Sequence, residues 1–331
     1  MKQESILKKN FLNSGYAKIL FILALSVLMI LIPGILRIIN GADIYVGFYE
    51  KRVIMVGLTL FAAYIIATID FRFWTRYSML FYGIGVVQVI LLSLYGKSIE
   101  GNVVRWIEWK DLSFDCSVMT IMAIIMILPY CINIISKKGG SKKLTVTWMS
   151  LAGLMLAVPL LMLCRDVGSF FVIVAITIIV TISYVTDYND KICWGIIVSL
   201  LIISTINVII CHVLGLLLLA ACSRIMMLAA ILITYMLIYL KKIMDEVTVK
   251  YGKYLVLAVM TRIAASYLLI LLSVISNLTD LGGGVFVHFS DSYLIISMYE
   301  LGCVFSATNT TKKLKEKAVL KEFEGGNRDV N

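Results

Sequence analysis

Apolar residues run through this chain in long blocks of roughly twenty, separated by short polar stretches. Neither the period-two alternation of a half-buried strand nor the one-sided stripe of a surface helix dominates. A hydrocarbon layer about 30 Å thick takes roughly 20 apolar residues per helix. Windows of that length predict ten membrane-spanning helices, over 18–36, 53–69, 78–95, 114–136, 146–164, 168–186, 192–211, 215–240, 255–275 and 291–309. The expected fold is all-α, a polytopic membrane protein of about ten transmembrane helices. The connections at about 37–52, 96–113 and 276–290 are too short to hold a soluble domain, so residues 1–310 read as one membrane domain. Residues 311–331 read as a polar tail, expected to be disordered, with Gly325-Gly326 and no apolar face.

Charge orients these spans. The segments on the N-terminal side of the membrane hold 21 of the 30 Lys and Arg, against 8 on the other side. Cytoplasmic loops retain positive charge, so both termini are expected in the cytoplasm. Lys2, Lys8, Lys9 and Lys18 resemble the start of a signal peptide, but no A-x-A-like cleavage site follows and nine more spans do, so the first span reads as a retained helix. With 61% hydrophobic and 15% charged residues, and a mean hydropathy of +0.96, the composition lies well outside the soluble range. The net charge of +10 is spread along cytoplasmic loop edges, where topology and anionic lipid account for it, and no nucleic-acid partner is expected. Seven cysteines lie in or beside the apolar spans without a C-x-x-C pair, and the only histidines are His212 and His288, so neither a metal site nor a disulfide framework is expected. No cofactor is implied.

Three prolines, Pro33, Pro129 and Pro159, fall inside spans, where kinks are expected. Gly282-Gly283-Gly284, ahead of the last span, reads either as a re-entry of the chain at an angle closed to other residues or as a flexible surface loop.

The stretch Gly101–Phe114 concentrates chemistry on the outer side: Arg105, Lys110, Trp106, Trp109, Glu108 and Asp111. Arg105 can grip a phosphate bidentately while the two indoles sit at headgroup depth. Equally, the tryptophans can form an ordinary aromatic belt, with Arg105 pairing with Glu108 or Asp111. Lys51 and Arg52 at the start of the second span either contact a ligand or snorkel to the interface. Asp166, beside Arg165, can cap the sixth span through Asp166-x-x-Ser169, serve a site, or do both. Deep in the last two spans, Arg262 and Glu300 sit roughly 12–14 Å from the inner side at 1.5 Å per residue. Charges at such depth are rare and generally paired. An interhelical Arg262–Glu300 ion pair is expected, the alternative being that Arg262 snorkels to the cytoplasm.

Phe48-Tyr49-Glu50-Lys51-Arg52, Ile69-Asp70-Phe71-Arg72 and the loop with Arg105-Trp106-Ile107 together resemble the SEDS family, the FtsW/RodA/SpoVE-like proteins of cell shape, elongation, division and sporulation. So do Arg165-Asp166-Val167-Gly168-Ser169, where the family has P-D-L-G-T, and Phe289-Ser290-Asp291-Ser292 with Leu301-Gly302. The resemblance covers residues 48–306 and fits ten spans with both termini inside. It implies a bacterial plasma-membrane protein of peptidoglycan synthesis. Its implied partners are the undecaprenyl-linked peptidoglycan precursor and a class B penicillin-binding transpeptidase.

The departures from the family are specific. After Phe114 the family usually reads Q-P-S-E-L-x-K, where this chain has Asp115-Cys116-Ser117-Val118-Met119-Thr120-Ile121. Family polymerases have a long loop between spans seven and eight that carries an essential aspartate in a T-D-F-I-F-like segment. Here the connection shrinks to about His212-Val213-Leu214-Gly215, and no Asp or Glu occurs between Asp190 and Asp245. Glycan polymerisation needs a carboxylate to deprotonate the attacking hydroxyl and cations to stabilise the departing pyrophosphate. Lys51, Arg52, Arg105, Lys110 and Arg165 supply the second requirement. Asp166 and Asp280 are the acids best placed to supply the first. Three readings follow: a precursor-binding relative that has lost its catalytic loop, an active glycosyltransferase using another acid, and a transporter of the lipid-linked precursor.

Overall fold

The computed structural model describes residues 46–96, 104, 106–109, 112–213, 217–278 and 299–314. Helix α1 runs Val46–Thr68 and α2 runs Phe71–Tyr95. Between them Asp70 holds an extended backbone (φ −61°, ψ 129°), and its carboxylate accepts a hydrogen bond from Arg72 N at 2.9 Å. That bond satisfies one of the amide groups a helix start leaves without a partner. It also explains why α2 begins seven residues before the predicted 78: hydropathy windows shun Arg72 and Arg76, but a capped helix does not.

Then come α3 (Cys116–Lys137), α4 (Lys142–Met162), α5 (Val167–Thr186), α6 (Asn189–Val213), α7 (Leu217–Glu246) and α8 (Lys250–Leu278). A last helix, α9, is described over 299–314. Among the described residues these nine helices fall on the second to tenth predicted spans. Six of them are long and apolar enough to cross a membrane. The first predicted span, Pro33, Gly282-Gly283-Gly284 and the tail beyond 314 lie outside the described residues. Pro129 and Pro159 are inside α3 and α4.

One expectation is revised. The stretch before α3, read above as a loop, contains an antiparallel hairpin in which β1 (Trp106–Trp109) pairs with β2 (Leu112–Asp115), Ile107 opposite Phe114 and Trp109 opposite Leu112. The hairpin leads directly into α3 at Cys116.

Two packed units divide the helices. The first comprises Leu58–Asn189, Ile243–Arg262 and α9. Lipid tails are as apolar as leucine, so association of membrane helices relies on close approach and interhelical hydrogen bonds, and both are present. A Cβ on Gly85 would fall 2.6 Å from the Ala123 Cβ, and one on Gly302 would fall 2.7 Å from Ile66. Ser78 Oγ and the Tyr251 hydroxyl lie 3.0 Å apart, Tyr82 donates to Ala152 O at 3.0 Å, and Asn309 Nδ2 donates to Ala67 O at 3.0 Å. The N-terminal half of α8 is the centre of this unit: Leu255 through Met260 are all fully buried, as expected of a helix apolar on every side. Large apolar side chains such as Leu80, Leu94 and Met162 face outward, where a bilayer would cover them.

The second unit takes α1 through Gly57, Asp190–Lys242 and α8 from Ile263 onward. Its α6 buries Cys193, Ile197, Leu200 and Ser204, and its α7 buries Ala229, Ala230, Ile233, Met236, Leu237 and Leu240. Both follow the i, i+4, i+7 stripe of an amphipathic helix. Lys241 Nζ lies 3.3 Å from Asp190 Oδ1, tying the end of α7 to the start of α6.

Candidate functional site

The turn from α4 into α5 is more tightly built than its length suggests. Leu163 N and Cys164 N both donate to Pro159 O, at 2.8 and 3.3 Å, and Asp166 N donates to Leu160 O at 2.9 Å. Closing the chain this way puts Arg165 in the left-handed region, at φ 53°. A non-glycine residue there costs about 1 kcal/mol, and glycine, the usual solution, is absent. Arg165 is exposed. Asp166 is fully buried, and its Oδ1 accepts a hydrogen bond from Ser169 N at 3.0 Å. The Asp-x-x-Ser spacing therefore gives a helix cap, which also sets a negative group against the positive end of α5.

A second segment is tied to this turn. Val104 N donates to Cys164 O at 2.9 Å, which fixes the residue before Arg105 against the residue before Arg165. Two guanidinium-bearing positions, far apart in sequence, thus share one anchoring hydrogen bond through their neighbours. The hairpin starts two residues after Val104. Its approach is constrained from α2 as well, because a Cβ on Gly96, the C-cap of α2, would overlap Val104 Cγ1 and Leu92 O.

The other expected site residues are distributed as follows. Trp106 opens β1, paired with Asp115. Arg105, Lys110 and Asp280 lie outside the described residues. Lys51 and Arg52 are in the first two turns of α1, in the second packed unit. Arg262 Nε lies 2.6 Å from Glu300 Oε2, with side chains 3% and 1% exposed. Since α8 starts at Lys250, Arg262 is twelve residues into its helix, roughly 18 Å at 1.5 Å per residue, deeper than the sequence estimate. Between α6 and α7 the connection is Leu214–Leu216, outside the described residues. Among the described residues no group of three His, Cys, Asp or Glu is placed to hold a metal ion.

Sequence reading did not single out Val104 or Cys164. Their contribution is a backbone hydrogen bond, and side-chain chemistry gives no sign of it. The hairpin did leave a sign, since apolar 107, 109, 112 and 114 alternate with polar 108, 111, 113 and 115.

Chemically, the turn offers an exposed cation held in a strained, rigid backbone beside a buried, capping carboxylate. An anionic group is the natural ligand for the first. The second caps α5 through its Oδ1.

Comparison with known proteins gives this geometry a lineage. A family model described as a cell cycle protein, FtsW/RodA/SpoVE, matches residues 14–229. The probable peptidoglycan glycosyltransferase FtsW of Hydrogenovibrio crunogenus is 27% identical over 126 residues, which is 38% of this chain and 32% of that protein. The match therefore spans about a third of the relative's length. Among solved structures, one from work on the structural coordination of polymerization and crosslinking by a peptidoglycan synthase complex superposes with a TM-score of 0.64 at 11% identity, covering 88% of this chain and 97% of that one. The rod shape determining protein RodA of Thermus thermophilus superposes with a TM-score of 0.62 at 12% identity, covering 87% and 95%. At such identities the superpositions establish a shared fold, over a larger share of the chain than the family model matches. With well over half of its length matched by the family model, the chain belongs to the FtsW/RodA/SpoVE family.

Proposed function

We propose that this protein works in peptidoglycan assembly in the bacterial plasma membrane, where it binds the undecaprenyl-linked disaccharide precursor beside a class B penicillin-binding transpeptidase and does not itself polymerise glycan. The family and the named activity of the Hydrogenovibrio relative support the general role. The synthase complex among the structural neighbours, which joins polymerization to crosslinking, supports the partner.

The observation that carries the finer reading is an imbalance. The cationic requirement of pyrophosphate recognition is provided for, with Arg165 exposed in a fixed turn and the residue before Arg105 bonded to it. The acidic requirement is not: only three residues join α6 to α7, and no Asp or Glu occurs from Lys191 to Met244. A positioned general base contributes roughly 10²–10⁴-fold to such a reaction. Losing it leaves binding intact and removes most of the rate.

The test is direct. Purified full-length protein is incubated with the lipid-linked disaccharide, alone and with a transpeptidase, and both precursor binding and glycan chains are measured. Binding without polymer is expected, weakened in Arg105→Gln and Arg165→Gln. Glycan made by the protein alone would overturn the reading. If Asp166→Asn then abolished that polymer, Asp166 would be assigned as the base.

A further inference from the structure

On the opposite side of the first packed unit, where the Lys- and Arg-rich connections lie, the ends of four helices enclose a cavity of about 650 Å3. Its cations are Arg72 and Arg76, one turn apart at the start of α2, and Lys137 at the end of α3; no acid lines it. None of the three makes an ion pair with a described residue. Other lysines are paired: Lys142 with Asp187 at 2.9 Å in the same unit, and Lys241 with Asp190 in the second unit. Asp70, the carboxylate next to Arg72 in sequence, is used as the α2 cap. Three positive groups around one cavity repel each other unless an anion joins them.

The cavity is also preorganised. The Phe71 ring meets Tyr251 edge-on at 5.2 Å, Tyr251 in turn reaches Ser78, and Phe71 N donates to Thr310 Oγ1 at 3.4 Å, so α2, α8 and α9 are held together at its floor. Thr75, Tyr130 and Asn133 add hydroxyl and amide groups suited to phosphate oxygens. Ile134, Val249 and Leu314 make the remaining wall apolar. Just outside, Phe73 and Tyr77 of α2 are exposed, a surface on which acyl chains can lie.

We propose that this cavity binds the phosphodiester headgroup of an anionic glycerophospholipid from the cytoplasmic leaflet. The volume falls within the range of small-molecule sites. Basic pockets between membrane helices on the cytoplasmic side are suited to such headgroups. A soluble phosphate would be served by the cations alone. The apolar wall and the position at the ends of membrane-crossing helices favour the lipid. The site is independent of the outer turn and of the role proposed for it.

The experiment titrates full-length protein in a zwitterionic detergent or nanodisc with phosphatidylglycerol, phosphatidylcholine, inorganic phosphate or pyrophosphate, reading thermal stabilisation and lipid retention by native mass spectrometry. Phosphatidylglycerol is expected to stabilise the protein and be retained where phosphatidylcholine is not. The Arg72→Gln/Arg76→Gln double variant is expected to bind it about thirty-fold more weakly, the equivalent of about 1 kcal/mol for each charge. Lys142→Gln, on the same side but outside the cavity, is expected to bind like the native protein. Both arginines are exposed, so the double variant should melt like the native protein in zwitterionic lipid alone, and that measurement separates lost binding from lost folding. Equal stabilisation by the two lipids, undiminished binding by the double variant, or inorganic phosphate or pyrophosphate matching phosphatidylglycerol at equal concentration would each overturn the proposal.

Discussion

The turn between α4 and α5 and the connection between α6 and α7 are each a few residues long, yet the sequences around them carry different chemistry. The first gathers three backbone hydrogen bonds, a left-handed arginine, a buried aspartate cap and a bond from a distant segment into four residues. The second, residues 214–216, lies outside the described residues, within a 54-residue stretch of sequence that has no carboxylate. In the first packed unit the buried acids, Asp166 and Glu300, each have a structural partner: one caps a helix and the other meets Arg262. In the second unit the sequence from Lys191 to Met244 has no acid. The contrast is thus between acids that hold the fold, Asp166 and Glu300, and a long stretch of sequence with no acid at all.

The largest expected effect comes from the buried ion pair. Glu300→Ala leaves the Arg262 charge buried without its counterion, and a loss of about 3–5 kcal/mol is expected in detergent unfolding. The Arg262→Met/Glu300→Leu double variant removes both charges and should recover most of that loss. If the single variant is as stable as the native protein, the pair is not the structural commitment described above.

Next, Asp166→Ala removes the α5 cap and should cost at least about 1 kcal/mol, whereas Asp166→Asn, still a good cap, should cost much less. A loss of precursor binding in the asparagine variant without a loss of stability would give Asp166 a role beyond its cap. Arg165 separates structure from binding in the opposite sense. Glycine tolerates the left-handed backbone, so Arg165→Gly should change stability by no more than about 1 kcal/mol while weakening precursor binding. Unchanged binding would remove Arg165 from the site. The smallest effect is expected at the exposed Lys142–Asp187 pair, where Asp187→Asn should leave the melting temperature almost unmoved and any difference should vanish in high salt.

Much of the fold was legible because a bilayer imposes one length and one period on each element. The spans from 53–69 onward fall on observed helices, and the Asp166-x-x-Ser169 cap follows from residue type and spacing alone. What escaped had different physical causes. The early start of α2 depends on Asp70 as a cap ahead of a run interrupted by Arg72 and Arg76, which a hydropathy average counts as loop. The hairpin depends on a period-two pattern only four residues long on each side, easily overshadowed by the charges and indoles it carries. The bond from Val104 to Cys164 and the cavity around Arg72, Arg76 and Lys137 join residues far apart in sequence, and no local pattern encodes that meeting. In the sequence, Arg76 and Lys137 served only to orient the spans, and Arg72 served besides only as the end of one block of the family resemblance.

The central claim is that substrate recognition persists without polymerisation, and the measurement that tests it most directly is a glycan-chain assay on the purified full-length protein with the lipid-linked disaccharide, run alongside a binding assay on the same sample. Binding that depends on Arg165 with no glycan chains formed is the predicted result. Glycan chains formed by the protein alone would contradict it.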